Sequence, residues 1–171
     1  MTNLTHTQSP TALPPEAQVL QMILGKVTTL LLFVAARLGV ADLLKDGPRS
    51  IEHLASAAGA HAHALYRVMR ALASLGVFAE TEPGHFALTP MAETLRSDVP
   101  GSLRDLAIWN GGEFHNLAWA DILHGVQTGE SNFRHRFGMT MFVYMDRHPD
   151  DSGGFQNALT ALSGREAAWV R

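Results

Sequence analysis

Residues 113–124 bring together the side chains best suited to acid–base chemistry. His115 lies between Glu113 and Asp121, and His124 follows nine residues after the first histidine. An imidazole next to a carboxylate can act as a general acid or base, because the carboxylate orients the ring and stabilises its charged form. Titratable groups at this spacing are also common on a solvated helix face, and we favour that interpretation.

The nine histidines of the chain do not follow a metal-binding pattern. His61 and His63 are two residues apart near a predicted helix start, so their side chains point in different directions. His135 lies between Arg134 and Arg136, whose charges oppose a cation, whereas a metal site needs converging and supported ligands. The chain also has no cysteine, which excludes disulfides, a thiolate nucleophile and Cys-ligated zinc. We therefore expect no metal ion.

Motifs that bind phosphates or activate a nucleophile are missing from the sequence. It contains no Gly-x-Gly-x-x-Gly, P-loop, Gly-x-Ser-x-Gly or His-Glu-x-x-His pattern. The pairs Gly111-Gly112 and Gly153-Gly154 precede helical patterns and do not join a strand to a helix. We therefore expect no cofactor-binding residue in this chain.

Two arginines raise the question of nucleic-acid binding. Arg67 and Arg70 lie on the polar face of a predicted helix and could contact phosphate, or equally pair with Glu80 or Glu82. The chain has 13 Lys+Arg against 16 Asp+Glu and a formal net charge of −3. Because DNA-binding domains usually present a basic surface, nucleic acid is an unfavoured partner. A winged-helix DNA-binding transcription regulator is kept as the alternative function.

The scaffold that would position these residues is predicted to be mainly α-helical. The 171 residues, 46% hydrophobic and 17% charged, fit one globular domain with helical extensions. Residues 1–15 are polar, contain three prolines and lack the features of a secretory signal, so we expect a disordered N-terminal segment. We expect a cytoplasmic protein.

A long first helix is predicted from Ala17 to about Leu44, with an interruption near Gly25. Apolar residues occur almost all round its axis, so it requires cover on several sides. Its most apolar run, Val27–Ala36, is about half as long as the roughly 20 residues that cross a bilayer. We interpret it as a buried helix that is not a membrane anchor, and we expect a second subunit to supply part of its cover.

The central sequence predicts a winged helix-turn-helix with a small β-hairpin wing. Ser50 is a candidate N-cap, and Gly76 stands where a helix-ending glycine is expected. A turn at Glu82-Pro83-Gly84 separates two short alternating segments. The predicted elements are helices at Ile51–Ala58 and about His61–Leu75 and strands at Val77–Thr81 and His85–Thr89.

Further helices are predicted along the rest of the chain. Thr89-Pro90 opens one of them, with an N-cap and a proline at the first helical position. The later candidates are Leu103–Trp109, Phe114–Val126, Gly138–Arg147 and Gly154–Ser163. We divide the chain into dimerisation helices and winged helix at 16–106 and a helical segment at 107–171.

The stretch Leu54–Leu106 resembles the N-terminal winged-helix dimerisation domain of small-molecule O-methyltransferases. These are S-adenosylmethionine-dependent enzymes, typified by plant caffeate and hydroxyindole methyltransferases and by bacterial enzymes that tailor aromatic polyketides. His115–Phe133 and Phe137–Leu159 are similar to the family's segments before its catalytic domain. The resemblance covers about Leu20 to Ser163, and it is the set of motifs together that makes it specific.

The resemblance implies a homodimer formed through the N-terminal helices, with a small aromatic or polyketide-like hydroxyl substrate. A heterodimer with a full-length methyltransferase is a further possible assembly. In relatives these helices also contribute one wall of the acceptor pocket. By that resemblance the wall residues are Trp119, Phe142, Met145, Asn157 and Leu159.

The sequence departs from the family at its C-terminal end. The family's cofactor loop, of Asp-Val-Gly-Gly-Gly type, and its catalytic histidine base have no counterpart up to Arg171. Methyl transfer needs the methyl donor, the acceptor hydroxyl and a base held in reacting geometry. We therefore expect no catalytic residue, no activity from this chain alone, and a truncated or separately encoded piece of a methyltransferase.

Overall fold

The structure is a computed structural model that describes residues 13–149, 154–160 and 163. Helices dominate it, and three short strands form one small sheet. The helices are α1 (Pro15–Arg37), α2 (Val40–Leu43), α3 (Ile51–Ala58), α4 (Ala62–Ser74), α5 (Pro90–Glu93), α6 (Arg104–Gly111), α7 (Glu113–Ala120), α8 (Ile122–Thr128), α9 (Asn132–Phe137) and α10 (Met141–Arg147), and residues 154–160 are also helical. The strands are β1 (Arg49–Ser50), β2 (Phe78–Glu82) and β3 (His85–Leu88). The predicted fold class is confirmed.

The first helix continues through Gly25 and ends before Gly39, so the predicted interruption near Gly25 is wrong. Gly39 has a positive φ of 64°, which closes α1 and opens α2. At this end of α1 the Arg104 Nε donates a 3.2 Å hydrogen bond to the carbonyl oxygen of Ala36. That bond ties the start of α6 to the end of α1, and the two helices pack along each other.

The winged helix forms as predicted, with side-chain caps at its helix starts. The hydroxyl of Ser50 accepts from the His53 amide at 3.3 Å, and Gly76 has a φ of 75°. Thr89 joins the wing to α5, because its hydroxyl donates to the Val77 carbonyl at 2.6 Å and accepts from the Ala92 amide at 3.3 Å.

The sheet has the strand order β1-β3-β2 and is antiparallel throughout. In the hairpin Phe78 pairs with Leu88 and Glu80 with Phe86, and a bulge follows before Glu82. Strand β1 was not predicted from the sequence, because two residues are too short to show an alternating pattern.

The core lies between α1, α2 and the winged helix. Its completely buried side chains come from both strands of the hairpin and from the helices that face it. The largest are Phe78, Phe86, Leu44, Leu54, Met69, Leu72 and Val40.

The helices after residue 112 differ from the prediction in two places. The predicted helix Phe114–Val126 is two helices, α7 and α8, separated by a turn at Asp121. Helix α9 was not predicted; its start is capped by Ser131, whose hydroxyl accepts from the Arg134 amide at 3.3 Å. A six-residue helix contains too few turns to show a helical period.

In the single chain the apolar run of α1 is buried at its C-terminal end and exposed at its start, where we expected cover from a second subunit. Ala35 and Ala36 are buried, whereas Val27 is 52% exposed and Leu30 is 37% exposed. Helix α1 has an 18-residue window of mean hydropathy 2.0, of which 11% is buried, so by length and composition it could cross a membrane. Within the described residues, this apolar face has no cover.

Candidate ligand wall and dimerisation surface

Helix α7 places His115 and Trp119 one helical turn apart on the same face. The indole Nε1 of Trp119 donates to the Nε2 of His115 at 3.0 Å. The other ring nitrogen, Nδ1, lies 3.1 Å from the main-chain carbonyl oxygen of Asn110, at the end of α6. The imidazole therefore links α6 to the indole that the sequence placed in a ligand wall.

Burial lowers the pKa of His115, and the hydrogen bond to the Asn110 carbonyl opposes that shift. The possible acid–base pairs of His115 with Glu113 or Asp121, which we did not favour, are not seen among the described residues. Asp121 is instead paired with Arg136. His115 is thus a hydrogen-bonded neutral group, in keeping with our preference against an acid–base pair.

Aromatic rings pack near His115. The Trp109 ring lies 4.3 Å from the imidazole between centroids, and Phe155 lies 5.3 Å from Trp109. Phe114 stacks against Tyr144 at 5.5 Å, which joins α7 to α10. These ring contacts hold together helices that share few fully buried side chains.

A cavity of about 320 Å³ opens beside Trp119. It lies between α1, α6 and α7, and its lining contains one ammonium, two amides, a hydroxyl, the imidazole and the indole. The lining residues are Lys26, Thr29, Asn110, His115, Asn116 and Trp119. Apart from Trp119, sequence reasoning did not place these residues in a ligand wall; the i, i+4 spacing from His115 to Trp119 was the one signal available.

Phe142 lines a different cavity, of about 610 Å³, beside α9 and α10. Its side chain is 69% exposed, whereas that of Met145, one turn later in the same helix, is buried. The remaining lining residues are Glu130, Ser131, Phe133, Arg134, His135, Thr140 and Met141. The structure therefore assigns Trp119 and Phe142 to two separate cavities.

The last two predicted wall residues lie in the helical stretch 154–160. Asn157 and Leu159 are both exposed. Trp119 and Phe142 each have an exposed position beside a cavity, whereas Met145 is buried.

One of the two arginines of α4 is paired with an acidic residue of the wing. Arg70 pairs with Glu80 of the wing at 3.8 Å, and its guanidinium lies 5.9 Å above the Tyr66 ring. Arg67 is exposed. The contact between Arg70 and Glu80 agrees with the second interpretation of its charge, as a partner for an acidic residue of the wing.

The described residues include no group of three or more His, Cys, Asp or Glu side chains that could hold a metal ion. His124 instead stacks on His135 at 3.7 Å between ring centroids, and its Nε2 lies 3.3 Å from a Glu130 carboxylate oxygen.

Residues 20–98 match the family of the O-methyltransferase dimerisation domain, and this part of the chain belongs to that family. The chain is 48% identical to the phenazine O-methyltransferase PhzM of Lysobacter antibioticus over 155 residues, covering 91% of this chain and 45% of that protein. The crystal structure of LaPhzM superposes on it with a TM-score of 0.86 at 47% identity, covering 92% of this chain and 47% of the other. These matches confirm the resemblance and give no support to the transcription-regulator alternative.

A second relative has a different acceptor atom. The phenazine-1-carboxylate N-methyltransferase of Pseudomonas aeruginosa is 36% identical over 143 residues, covering 84% of this chain and 42% of that protein. The chain therefore spans less than half the length of these curated relatives.

The cofactor found in related solved structures, S-adenosylmethionine or its product, does not fit the described residues. Nucleotide-type cofactors bind where parallel strands end in loops that lead into helices. The sheet described for this chain is antiparallel, with a hairpin turn between β2 and β3. No step of methyl transfer is therefore assigned to these residues.

Proposed function

We propose that this chain is the dimerisation and acceptor-wall part of a methyltransferase that acts on a small planar aromatic substrate. Two copies pair through the apolar face of α1, and the cavity beside Trp119 forms part of the acceptor site. The observation that carries the proposal is the exposed apolar face of α1 in a chain whose residues 20–98 belong to a dimerisation-domain family.

The α1 face is large enough to drive association. Its exposed members are Val19, Leu20, Met22, Ile23, Leu24, Val27 and Leu30. Burying one such side chain contributes about 1.5–3 kcal/mol, so several together offset the cost of holding two chains together. Monomeric proteins rarely leave an apolar surface of this kind in water.

A second copy covers this face better than a bilayer does. Lys26 lies at the middle of α1, and a lysine at the centre of a membrane-spanning helix costs about 2.5–3.5 kcal/mol on insertion scales. At a protein interface the same side chain extends its ammonium to the rim while its alkyl stem packs. We therefore favour pairing between two α1 helices.

Sedimentation equilibrium of the full chain with Ile23→Glu tests the pairing. Ile23 is 66% exposed in the single chain, so a monomeric variant keeps its fold by circular dichroism. Gln21→Glu, an exposed polar position on the same helix, is the matched control. We expect wild type and control to sediment as dimers at micromolar concentration and Ile23→Glu as a monomer. A monomeric wild type, or flotation of the wild type with phosphatidylcholine vesicles, contradicts the proposal.

The acceptor-wall role rests on the cavity beside Trp119. Its volume of about 320 Å³ is at the small end of the range for ligand sites, which suits one planar molecule. Phenazine-1-carboxylate, a substrate named for one relative, is the probe. We expect calorimetric binding to the wild type that weakens strongly in Trp119→Ala and weakens less in Trp119→Phe, which keeps a stacking ring but loses the hydrogen bond to His115.

We expect that the described residues do not bind S-adenosylmethionine. Calorimetry with S-adenosylmethionine is therefore expected to show no specific binding by this chain, and a methyl-transfer assay to show no turnover. Micromolar affinity would contradict this part of the proposal.

A further inference from the structure

Both ring nitrogens of His115 have partners whose roles are fixed. The Asn110 main-chain oxygen can only accept a hydrogen bond, so Nδ1 of His115 carries the proton. The Trp119 indole N–H can only donate, so Nε2 is unprotonated. The geometry thus selects one neutral tautomer. A protonated ring would place two N–H groups against each other and break the contact to Trp119.

Trp119 makes its side-chain hydrogen bond to His115. Its side chain is 55% exposed, and the bond to His115 uses its single donor. His115 is in turn held between the Asn110 carbonyl and the Trp109 ring. The end of α6 therefore holds the imidazole of His115, and the imidazole in turn orients the Trp119 indole at the cavity.

The polar groups of the cavity favour an anionic ligand. Lys26 is its one charged lining residue, and no carboxylate lines it. The amide nitrogens of Asn110 and Asn116 each donate a 2.9 Å hydrogen bond to a main-chain carbonyl, so the attraction to an anion comes from Lys26.

We propose that His115 is a positioning residue for a planar aromatic carboxylate bound beside Trp119. Its neutral ring, with the proton on Nδ1, holds the indole as a fixed stacking surface, and Lys26 meets the carboxylate. This inference rests on the proposed function, since it concerns the same acceptor wall. A fixed aromatic surface raises affinity because the ligand does not have to order it on binding.

Two substitutions separate positioning from bulk. His115→Gln keeps a donor and an acceptor on a flexible side chain, whereas His115→Leu keeps the volume and neither bond. Loss of one hydrogen bond to an exposed indole corresponds to about tenfold in affinity. We expect phenazine-1-carboxylate to bind His115→Leu about tenfold more weakly than wild type, with most of the loss recovered in His115→Gln.

The matched control is His124→Leu, which removes an imidazole from the neighbouring helix α8 and leaves the Trp119 cavity intact. We expect circular dichroism to show that each variant retains its helices. The tautomer is measured directly from the imidazole ¹⁵N shifts of the wild-type chain, where we expect a protonated Nδ1 and an unprotonated Nε2. In His115→Leu the Trp119 indole N–H resonance should shift toward its solvent-exposed position.

A proton on Nε2, or equal affinity of His115→Leu and wild type for the probe, overturns the inference while leaving the acceptor wall in place. Absence of phenazine-1-carboxylate binding by the wild type overturns the proposed acceptor wall and this inference with it. An equal loss of affinity in His115→Gln and His115→Leu also overturns the inference. The hydrogen bonds that glutamine restores would then have no effect on how the indole is oriented for the ligand.

Discussion

The winged helix and the outer helices α7–α10 differ in how many of their apolar side chains are buried. In the winged helix, Phe78, Phe86 and Leu54 are completely buried and pack in one contiguous core. Among the described residues of the outer helices and the stretch 154–160, the buried side chains are Phe114, Ala118, Met145 and Ala158. The outer helices also expose Leu117, Trp119, Ile122, Leu123, Val126 and Phe142.

This difference shows which region has a contiguous buried core within a single chain. A domain with a contiguous buried core folds on its own contacts, whereas clustered exposed apolar side chains mark surfaces that bind something else. The winged helix is therefore the stable support. The outer helices, together with the exposed face of α1, are the surfaces that a second copy or a ligand completes.

The largest expected effect is Phe86→Ala in the core of the wing. The Phe86 side chain is completely buried between the sheet and α4, with an edge-on contact to Tyr66 at 6.1 Å. Truncating a buried phenylalanine lowers the free energy of unfolding by about 3–5 kcal/mol, because it loses transfer energy and leaves a cavity. Urea unfolding followed by circular dichroism measures the loss. A loss below about 1 kcal/mol would show that this core does not support the chain.

A smaller effect is expected at Gly111, where α6 meets α1. A Cβ added there would overlap the Phe33 side chain, so Gly111→Ala forces α6 away from α1. Overpacking of this kind costs about 1–3 kcal/mol. Gly25→Ala is the control, because a Cβ there has no neighbour within 4 Å. An alanine in a helix interior stabilises by about 1 kcal/mol relative to glycine. Equal effects of the two substitutions would contradict the close α1–α6 contact.

Sequence reasoning predicted the winged helix well because its signals are local. Ser50, Gly59 and Gly76 mark helix ends by side-chain chemistry and positive φ, which can be read without tertiary contacts. Strand β1 was not predicted, because its two residues are recognised as a strand by their pairing with β3, which comes much later in the chain. The break at Asp121 escaped because neither glycine nor proline marks it.

The candidate site was less predictable for the same reason. Trp119 and Phe142 came from the family resemblance, whereas Lys26 joins the cavity from α1, more than 80 residues before Asn110. Such convergence depends on how α1 packs against α6 and leaves no mark in the local sequence pattern. Exposure of the first part of α1 was equally hidden, since apolar residues all round a helix are typical of burial as well as of an interface.

A smaller effect still is the pH dependence contributed by His115. Burial lowers its pKa in the folded chain, whereas the unfolded chain takes up the proton near the ordinary value of about 6.5. Between the two pKa values the unfolded state binds more protons than the folded state. The contribution of His115 to the free energy of unfolding is therefore fully present above about pH 6.5 and is lost as the pH falls toward the folded pKa.

Urea unfolding of wild type and His115→Gln at about pH 7.5 and about pH 5.5 measures this contribution. The other histidines titrate in both chains, so the difference between the two slopes belongs to His115. We expect the wild type to lose more stability on acidification than the variant. Identical slopes would contradict a partly buried His115 whose pKa is lowered in the folded chain.

The smallest expected effect is Phe142→Ala on the exposed face of α10. Because Phe142 is 69% exposed, its truncation should change the free energy of unfolding by no more than about 0.5 kcal/mol. Met145→Ala, one turn later and buried, is the comparison and should cost about 2 kcal/mol or more. Urea unfolding of both variants measures the pair. If Phe142→Ala destabilised the chain as much as Met145→Ala, α10 would have its apolar contacts on both faces. The outer helices would then form a core of their own, and the contrast with the winged helix would fail.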